Sequence, residues 1–312
     1  MKIVSLTSGL GNQIYQYIFS RYLEKTAQGK VFLDDSWYWC SMNAQIHQGY
    51  ELERAFGIKP KCLSGQFYRK DWKLIVELTT VKRKIPMISL LKQLGILGLD
   101  TVLLIEEYPP FIADMNSYET PYTGNVSTMK PFSFSHNVGK TGRLDVYYKG
   151  VFLNVHWFQY IRDTMIQELT FVPVEDDYNK NMMEQIRNVH SVALHVRRGD
   201  YVELGLQLGF EHYLKPVEVM KDYVCDPTFF IFSDDIAFCE KHIDEMGLCK
   251  GKDKIVFVNG NTGVNSFRDM QLMSLCKNMI PANSTFSWIA AMLNQNPNKY
   301  IHEPQSFGID MI

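Results

Sequence analysis

SVALHVRRGDYV, residues 191–202, runs from an apolar, β-branched stretch straight into His195, two adjacent arginines (Arg197 and Arg198), Gly199 and Asp200. In an open parallel α/β sheet, ligands bind outside the carboxyl ends of the strands, and a strand ending in such a cluster fits that edge. Two guanidiniums held near a core need anionic partners, and their planar donor forks match phosphate oxygens bidentately. The segment predicts an anion site; the alternative is a solvated strand-to-helix loop. Alternation places His195 and Arg197 on the same strand face.

Working outward, the C-terminal half is regular. Strands at 192–196, 228–232, 254–258, 278–281 and 299–302 alternate with helical stretches near 213–224, 236–246, 265–276 and 285–294. That alternation predicts a parallel α/β sheet. Four strands end in polar clusters: HVRRGD, Ser233-Asp234-Asp235, the Asn-Gly-Asn-Thr run at 259–262, and Asn283-Ser284-Thr285. All four loops belong on one sheet edge, so the clusters converge on it. Ser233, Asp234 and Ser284 serve equally well as helix caps.

The N-terminal end reads as KIVSL, TSGLGNQ, a helix from about 13 to 26, then KVFLD, which is a βαβ start. Gly9 and Gly11 let backbone amides approach a ligand at the helix N-terminus, and Asn12 adds a side-chain amide. The third glycine of a dinucleotide fingerprint and the lysine of a P-loop are absent, which argues against a dehydrogenase. From 37 to 148 the pattern is irregular, with helices expected at 68–79 and 86–98. The chain is expected to divide into domains at 1–180 and 181–312.

With 312 residues and 46% apolar composition, the chain can fill two cores. A net charge of −2 excludes global attraction to nucleic acid or anionic membranes, so any cationic site is local. The six cysteines form no CxxC pair and the eight histidines no HExxH spacing, which predicts reduced thiols and no metal site. MKIVSLTSG reads as a strand, not a signal peptide, and the expected location is the cytoplasm. The apolar stretch 85–105 is interrupted by Lys92, Gly95, Gly98 and Asp100 and falls short of a membrane span. Lys59 to Lys92 is locally basic, and Lys82-Arg83-Lys84 directly precedes an apolar run. Two readings stay open there: a face resting on the inner side of an anionic membrane, or a solvated helical face.

GLGNQIYQYIFSRYLE (9–24), HVRRGDYV (195–202), FFIFSDD (229–235) and DMQLMSLCKNMIPANSTFSWIAAMLN (269–294), in that order, closely resemble the bacterial α-1,2-fucosyltransferases of glycosyltransferase family 11. The resemblance implies a GT-B-type α/β fold of two Rossmann-like domains facing a cleft, the C-terminal one binding GDP-L-fucose and the N-terminal one serving the acceptor. It also implies inverting transfer of L-fucose to the 2-hydroxyl of a galactose, in a bacterial surface glycan such as an O-antigen repeat. Carried over, Arg197, Asp200 and His195 become the catalytic set. Gly11, Asn12, Arg197, Arg198, Ser233, Asp234, Asp235, Asn283, Ser284 and Thr285 become the donor-binding set.

No Asp-x-Asp occurs in the sequence, so metal-free transfer is expected, with fixed cations stabilising the diphosphate and no cofactor beyond the GDP-L-fucose substrate. Asp200, Glu203 and Asp35 are the candidate bases for the acceptor hydroxyl. Two stretches depart from the family pattern: Leu153 to Gln159 (LNVHWFQ), and Trp288-Ile289, where a tandem tryptophan is usual. They leave the acceptor open. Trp37, Tyr38, Trp39, Trp157 and Phe158 are either sugar platforms or core aromatics. The altered 153–159 segment also motivates a second reading, a non-catalytic sugar-nucleotide or glycan-binding protein.

Overall fold

Residues 1–40, 43, 47–106, 122–129 and 142–302 are described in the computed structural model. Their strands pair in parallel into a five-stranded and a four-stranded sheet. Each sheet belongs to its own compact unit, Met1–Thr170 and Phe171–Ile312.

In the first unit, β1 (Lys2–Ser5), β2 (Val31–Asp34), β3 (Val102–Glu106), β4 (Val126–Met129) and β5 (Val146–Lys149) lie in the order β2-β1-β5-β3-β4. The expected βαβ start is present, with the Leu10–Thr26 helix joining β1 to β2. That helix begins three residues earlier than expected, so Gly11 and Asn12 lie in its first turn and not in a loop. Its Phe19 stacks on Phe152 at 4.0 Å and meets Trp157 edge-on at 5.2 Å. A second cluster gathers Ile3, Phe32, Trp72, Ile75, Leu91, Leu103 and Tyr147. Alternation along β1 separates the two layers.

The irregular region supplies β3, β4 and β5. The apolar run at 85–105 splits into a helix at Met87–Gln93 and the start of β3. Among the described residues no helix is long and apolar enough to cross a membrane. The helix expected at 68–79 is α-helical over Arg69–Val76 and continues as a π-helical turn over Glu77–Val81.

In the second unit, β6 (His190–Val196), β7 (Pro227–Ser233), β8 (Lys254–Val258) and β9 (Asn278–Ile280) lie in the order β8-β7-β6-β9. Val192, Leu194 and Val196 share a buried cluster with Tyr213, Val217, Met220, Cys239 and Ile243. The connecting helices are Glu211–Tyr223, Ile236–His242, Phe267–Leu275 and Thr285–Leu293, close to expectation. The fifth expected strand, 299–302, makes only a single bridge, Ile301 to Met279.

The division falls ten residues before the expected one. Arg268 donates to the carbonyls of Val172 (2.7 Å) and Pro173 (2.8 Å), drawing that stretch into the second unit. A helix not foreseen in the sequence, Asp177–Asn188, follows directly and carries the Asp176 side chain as its N-cap.

Candidate functional site

The order of the second sheet positions the site. From β6 the chain steps outward to β7 and β8, then returns to the other side of β6 for β9. The loops after β6 and β9 leave the edge in opposite senses, and the crevice between them is where open α/β sheets bind ligands. Arg197 and Arg198 follow β6; Asn283 and Ser284 follow β9.

Arg197 is held by two carboxylates. Its Nη1 donates to Asp234 Oδ2 (2.6 Å) and its Nη2 to Asp200 Oδ1 (2.5 Å), while the guanidinium lies 5.3 Å from the Tyr201 ring centroid. A guanidinium has five N–H donors, so three remain to meet an anion in an already fixed plane. Arg198 donates from Nε to Asp235 Oδ2 (3.1 Å) and from its backbone N–H to Asp234 Oδ1 (2.9 Å), and its guanidinium covers the Phe238 ring at 3.3 Å. Two cations thus face three carboxylates. Asp200, Asp234 and Asp235 aim the arginines. Asp235 additionally caps the Ile236–His242 helix, and Ser233 Oγ accepts from the Asp235 N–H, so both serve the turn.

His195 is 5% exposed. Burial, reinforced by the nearby Arg197 charge, depresses its pKa to about 3, so it is neutral across the physiological range and a poor proton acceptor. Its Nδ1 is buried without a hydrogen-bond partner, and so is Oδ1 of Asn283 on the neighbouring strand end. Native cores rarely leave such atoms unmet. Asn283 is fixed in place: its Nδ2 donates to the Leu206 carbonyl (2.8 Å), and its own carbonyl accepts from the Tyr201 hydroxyl (3.3 Å). Ser284 caps the Thr285–Leu293 helix, its side chain accepting from the Phe286 N–H.

The model of glycosyl transferase family 11 matches residues 133–307. The chain belongs to this family. An α-1,2-colitosyltransferase of Escherichia coli is 27% identical across 93% of this chain and 87% of its own length. The O-antigen biosynthesis glycosyltransferase WbnK of Escherichia coli is 27% identical across 97% and 93%. Among solved structures, the fucosyltransferase NodZ from Bradyrhizobium superposes with a TM-score of 0.48 at 12% identity, covering 94% of this chain and 91% of that one.

Gly199 completes the arginine cluster of this family 11 chain. A Cβ there would meet Asp234 Oδ2 at 2.6 Å, a distance real Cβ atoms do not tolerate. Gly199→Ala is expected to push Asp234 off both arginines and lower kcat/KM by about 10- to 100-fold, on the scale of other misplaced positioning groups. Unchanged kinetics would show that Asp234 does not orient Arg197.

The N-terminal turn of the family 11 chain is fixed by hydrogen bonds of its own. The Glu51 carboxyl is buried 3.4 Å from the Arg54 guanidinium, and the Glu51 backbone N–H donates to Gln13 Oε1 in the first turn of this helix. Burial raises the Glu51 pKa. Ser8, with φ of 68°, sits in the left-handed region, and its carbonyl accepts from Tyr38 Oη (2.8 Å) and Gln13 Nε2 (3.0 Å). Gln16 ties the Thr7 backbone to the Gly150 carbonyl. These two glutamines, to which the sequence reading gave no role, fix the Gly-rich turn. Asp35 accepts from the Trp39 indole and the Ser64 N–H, so both its oxygens are engaged. Asp200 has one oxygen on Arg197, and Glu203 is exposed.

A further polar network went unread in the sequence. Asn179 and Asn261 exchange paired side-chain hydrogen bonds (2.8 and 2.9 Å), and Asn261 Nδ2 also donates to Asp269 Oδ1 (2.8 Å). Nothing short of the unforeseen 177–188 helix brings these groups together. Burial pushes the Asp269 carboxyl up to about 7. An aspartate in the unfolded chain ionises near ~4, so the proton held in the fold favours folding fully below that pH, and the benefit drains away as pH rises through about 7. Asp269→Asn keeps an acceptor oxygen. It is expected to match the parent near pH ~4 and exceed its stability by up to about 4 kcal/mol near pH ~8. Urea unfolding at both pH values checks this, and a pH-independent difference would refute it.

Proposed function

We propose that this chain transfers a 6-deoxy-L-hexose, L-fucose in the first reading, from its GDP-linked donor to the 2-hydroxyl of a galactose in a surface glycan. The observation that carries this reading is the switch-point edge. There an arginine pre-aimed by two carboxylates stands at the end of β6, with the buried, unpaired His195 Nδ1 and Asn283 Oδ1 on adjacent strand ends. The α-1,2 linkage and the O-antigen setting are those named for the two Escherichia coli relatives.

In this account the remaining N–H groups of Arg197 take the diphosphate as it departs from the anomeric carbon, and Arg198 adds charge from its seat on Phe238. Fixed cations aimed at developing negative charge need no reorganisation during reaction, which favours a metal-free step in a sequence lacking Asp-x-Asp. His195 acts as a neutral hydrogen-bonding group, not as a base. The acceptor oxygen attacks opposite the leaving diphosphate, which inverts the anomeric centre, and its proton passes to a carboxylate or to water. The first unit is assigned to the acceptor. The altered 153–159 segment behind the non-catalytic alternative forms a helix, Val155–Tyr160, that buries Trp157 and Phe158.

Colitose is a specific second reading, since one relative is named for it. Colitose is fucose without the 3-hydroxyl. A site that hydrogen-bonds that hydroxyl would reject the deoxy donor by roughly 10⁴-fold or more, whereas a site that ignores it would accept both. Incubation with GDP-L-fucose or GDP-colitose and a β-galactoside, with the product read by NMR, tests the proposal. An α-(1→2) product from either donor supports it and names the sugar. A β-linked product, or attachment at another hydroxyl, would overturn it.

A further inference from the structure

Residues 59–92 carry nine lysines and arginines against two acids, a balance of +7 in a chain whose total is −2. The structure shows how that charge is presented. The Arg69–Val76 helix buries Trp72, Ile75 and Val76. Lys70, Lys73, Leu74, Glu77 and Val81 follow at helical spacing on the opposite side, the π-helical turn carrying the stripe onward. Lys70 and Lys73 have no acidic partner among the described residues, whereas Lys59, Lys61 and Lys82 pair with Glu53, Glu24 and Glu77. Apolar side chains stand among these cations: Tyr68 is 81% exposed, Leu74 56% and Val81 46%. Exposed apolar residues occur elsewhere on the chain, so it is their interleaving with these unpaired lysines that sets this face apart.

We propose that this face docks on an anionic lipid bilayer, the lysines meeting headgroup phosphates while Tyr68, Leu74 and Val81 enter the interface. The charge complementarity supplies attraction over a Debye length. The interleaved apolar residues decide between lipid and other polyanions, because a nucleic acid or acidic polymer gives exposed leucine and valine nothing to enter, whereas an amphipathic face lies in a bilayer by just this combination. The remainder of the chain, at −9 by difference from the same sequence, would be repelled by the same surface, so attachment through this face also sets an orientation.

Flotation with vesicles of equal phosphatidylglycerol and phosphatidylcholine, beside vesicles of phosphatidylcholine alone, tests the proposal without any enzyme assay. The full chain is expected to float with the anionic vesicles only, and to be released as salt rises. Lys70→Glu with Lys73→Glu should weaken binding at least about 25-fold, from about fivefold per cation lost. Leu74→Ser should weaken it several-fold while leaving the salt dependence in place. All these side chains are exposed, so thermal melting should be nearly unchanged, and Leu74→Ser alone serves as the test if the double variant does not fold. No flotation with anionic vesicles, equal flotation of the variants, or capture by heparin without flotation would each overturn the proposal.

Discussion

Arg197→Ala is expected to lower kcat/KM at least about 100-fold, the loss of roughly 3 kcal/mol or more that follows removal of a donor aimed at developing negative charge. Folding should be little affected. The guanidinium and its two partners are part-exposed, and ion pairs in that setting contribute at most about 1 kcal/mol each. Arg197→Lys separates geometry from charge: one ammonium cannot grip Asp200 and Asp234 while presenting a plane of further donors. The lysine variant is therefore expected to recover little of the lost activity. Full recovery by lysine would mean that only charge matters and would remove the role given to the two aspartates. The measurement is steady-state GDP release, with thermal melting as the control for folding.

Trp157→Ala is expected to cost about 3–5 kcal/mol of stability, the range for emptying a large aromatic site in a packed core. The indole is 1% exposed, and its ring lies 5.2 Å from Phe19 and 4.6 Å from Tyr22. Urea unfolding of the variant checks the value. A change below 1 kcal/mol with a raised acceptor KM would instead restore Trp157 as a sugar platform. The sequence could not choose between those roles, because a tryptophan in a stretch that departs from the family pattern is equally compatible with both. What decides is local: Asn154 accepts from the His156 N–H and starts a helix that turns Trp157 and Phe158 inward. Trp37 and Tyr38, half-buried, and the more exposed Trp39 remain the aromatics open to a sugar.

The same contrast runs through the whole chain. The second unit was legible because β6, β7 and β9 are apolar runs buried on both faces and bounded by polar clusters, which is how parallel strands announce themselves. β4 was not, since its Val126, Ser127 and Thr128 are exposed on an edge and carry no apolar pattern. In the site, residue types foretold that Arg197 and Arg198 would need anionic partners. They could not foretell that Asp234 and Asp235 would be those partners, nor that Glu51, some forty residues from the Gly-rich turn, would hydrogen-bond through its backbone to Gln13 in that helix. Contacts between residues distant in sequence are set by topology and leave no local trace.

The most direct test of the central claim is GDP release from GDP-L-fucose in the presence of EDTA, across β-galactoside acceptors, for the parent chain and Arg197→Ala side by side. Acceptor-dependent release that survives EDTA and collapses in the variant is expected. Release that requires a divalent ion, or that persists without the Arg197 guanidinium, would contradict it.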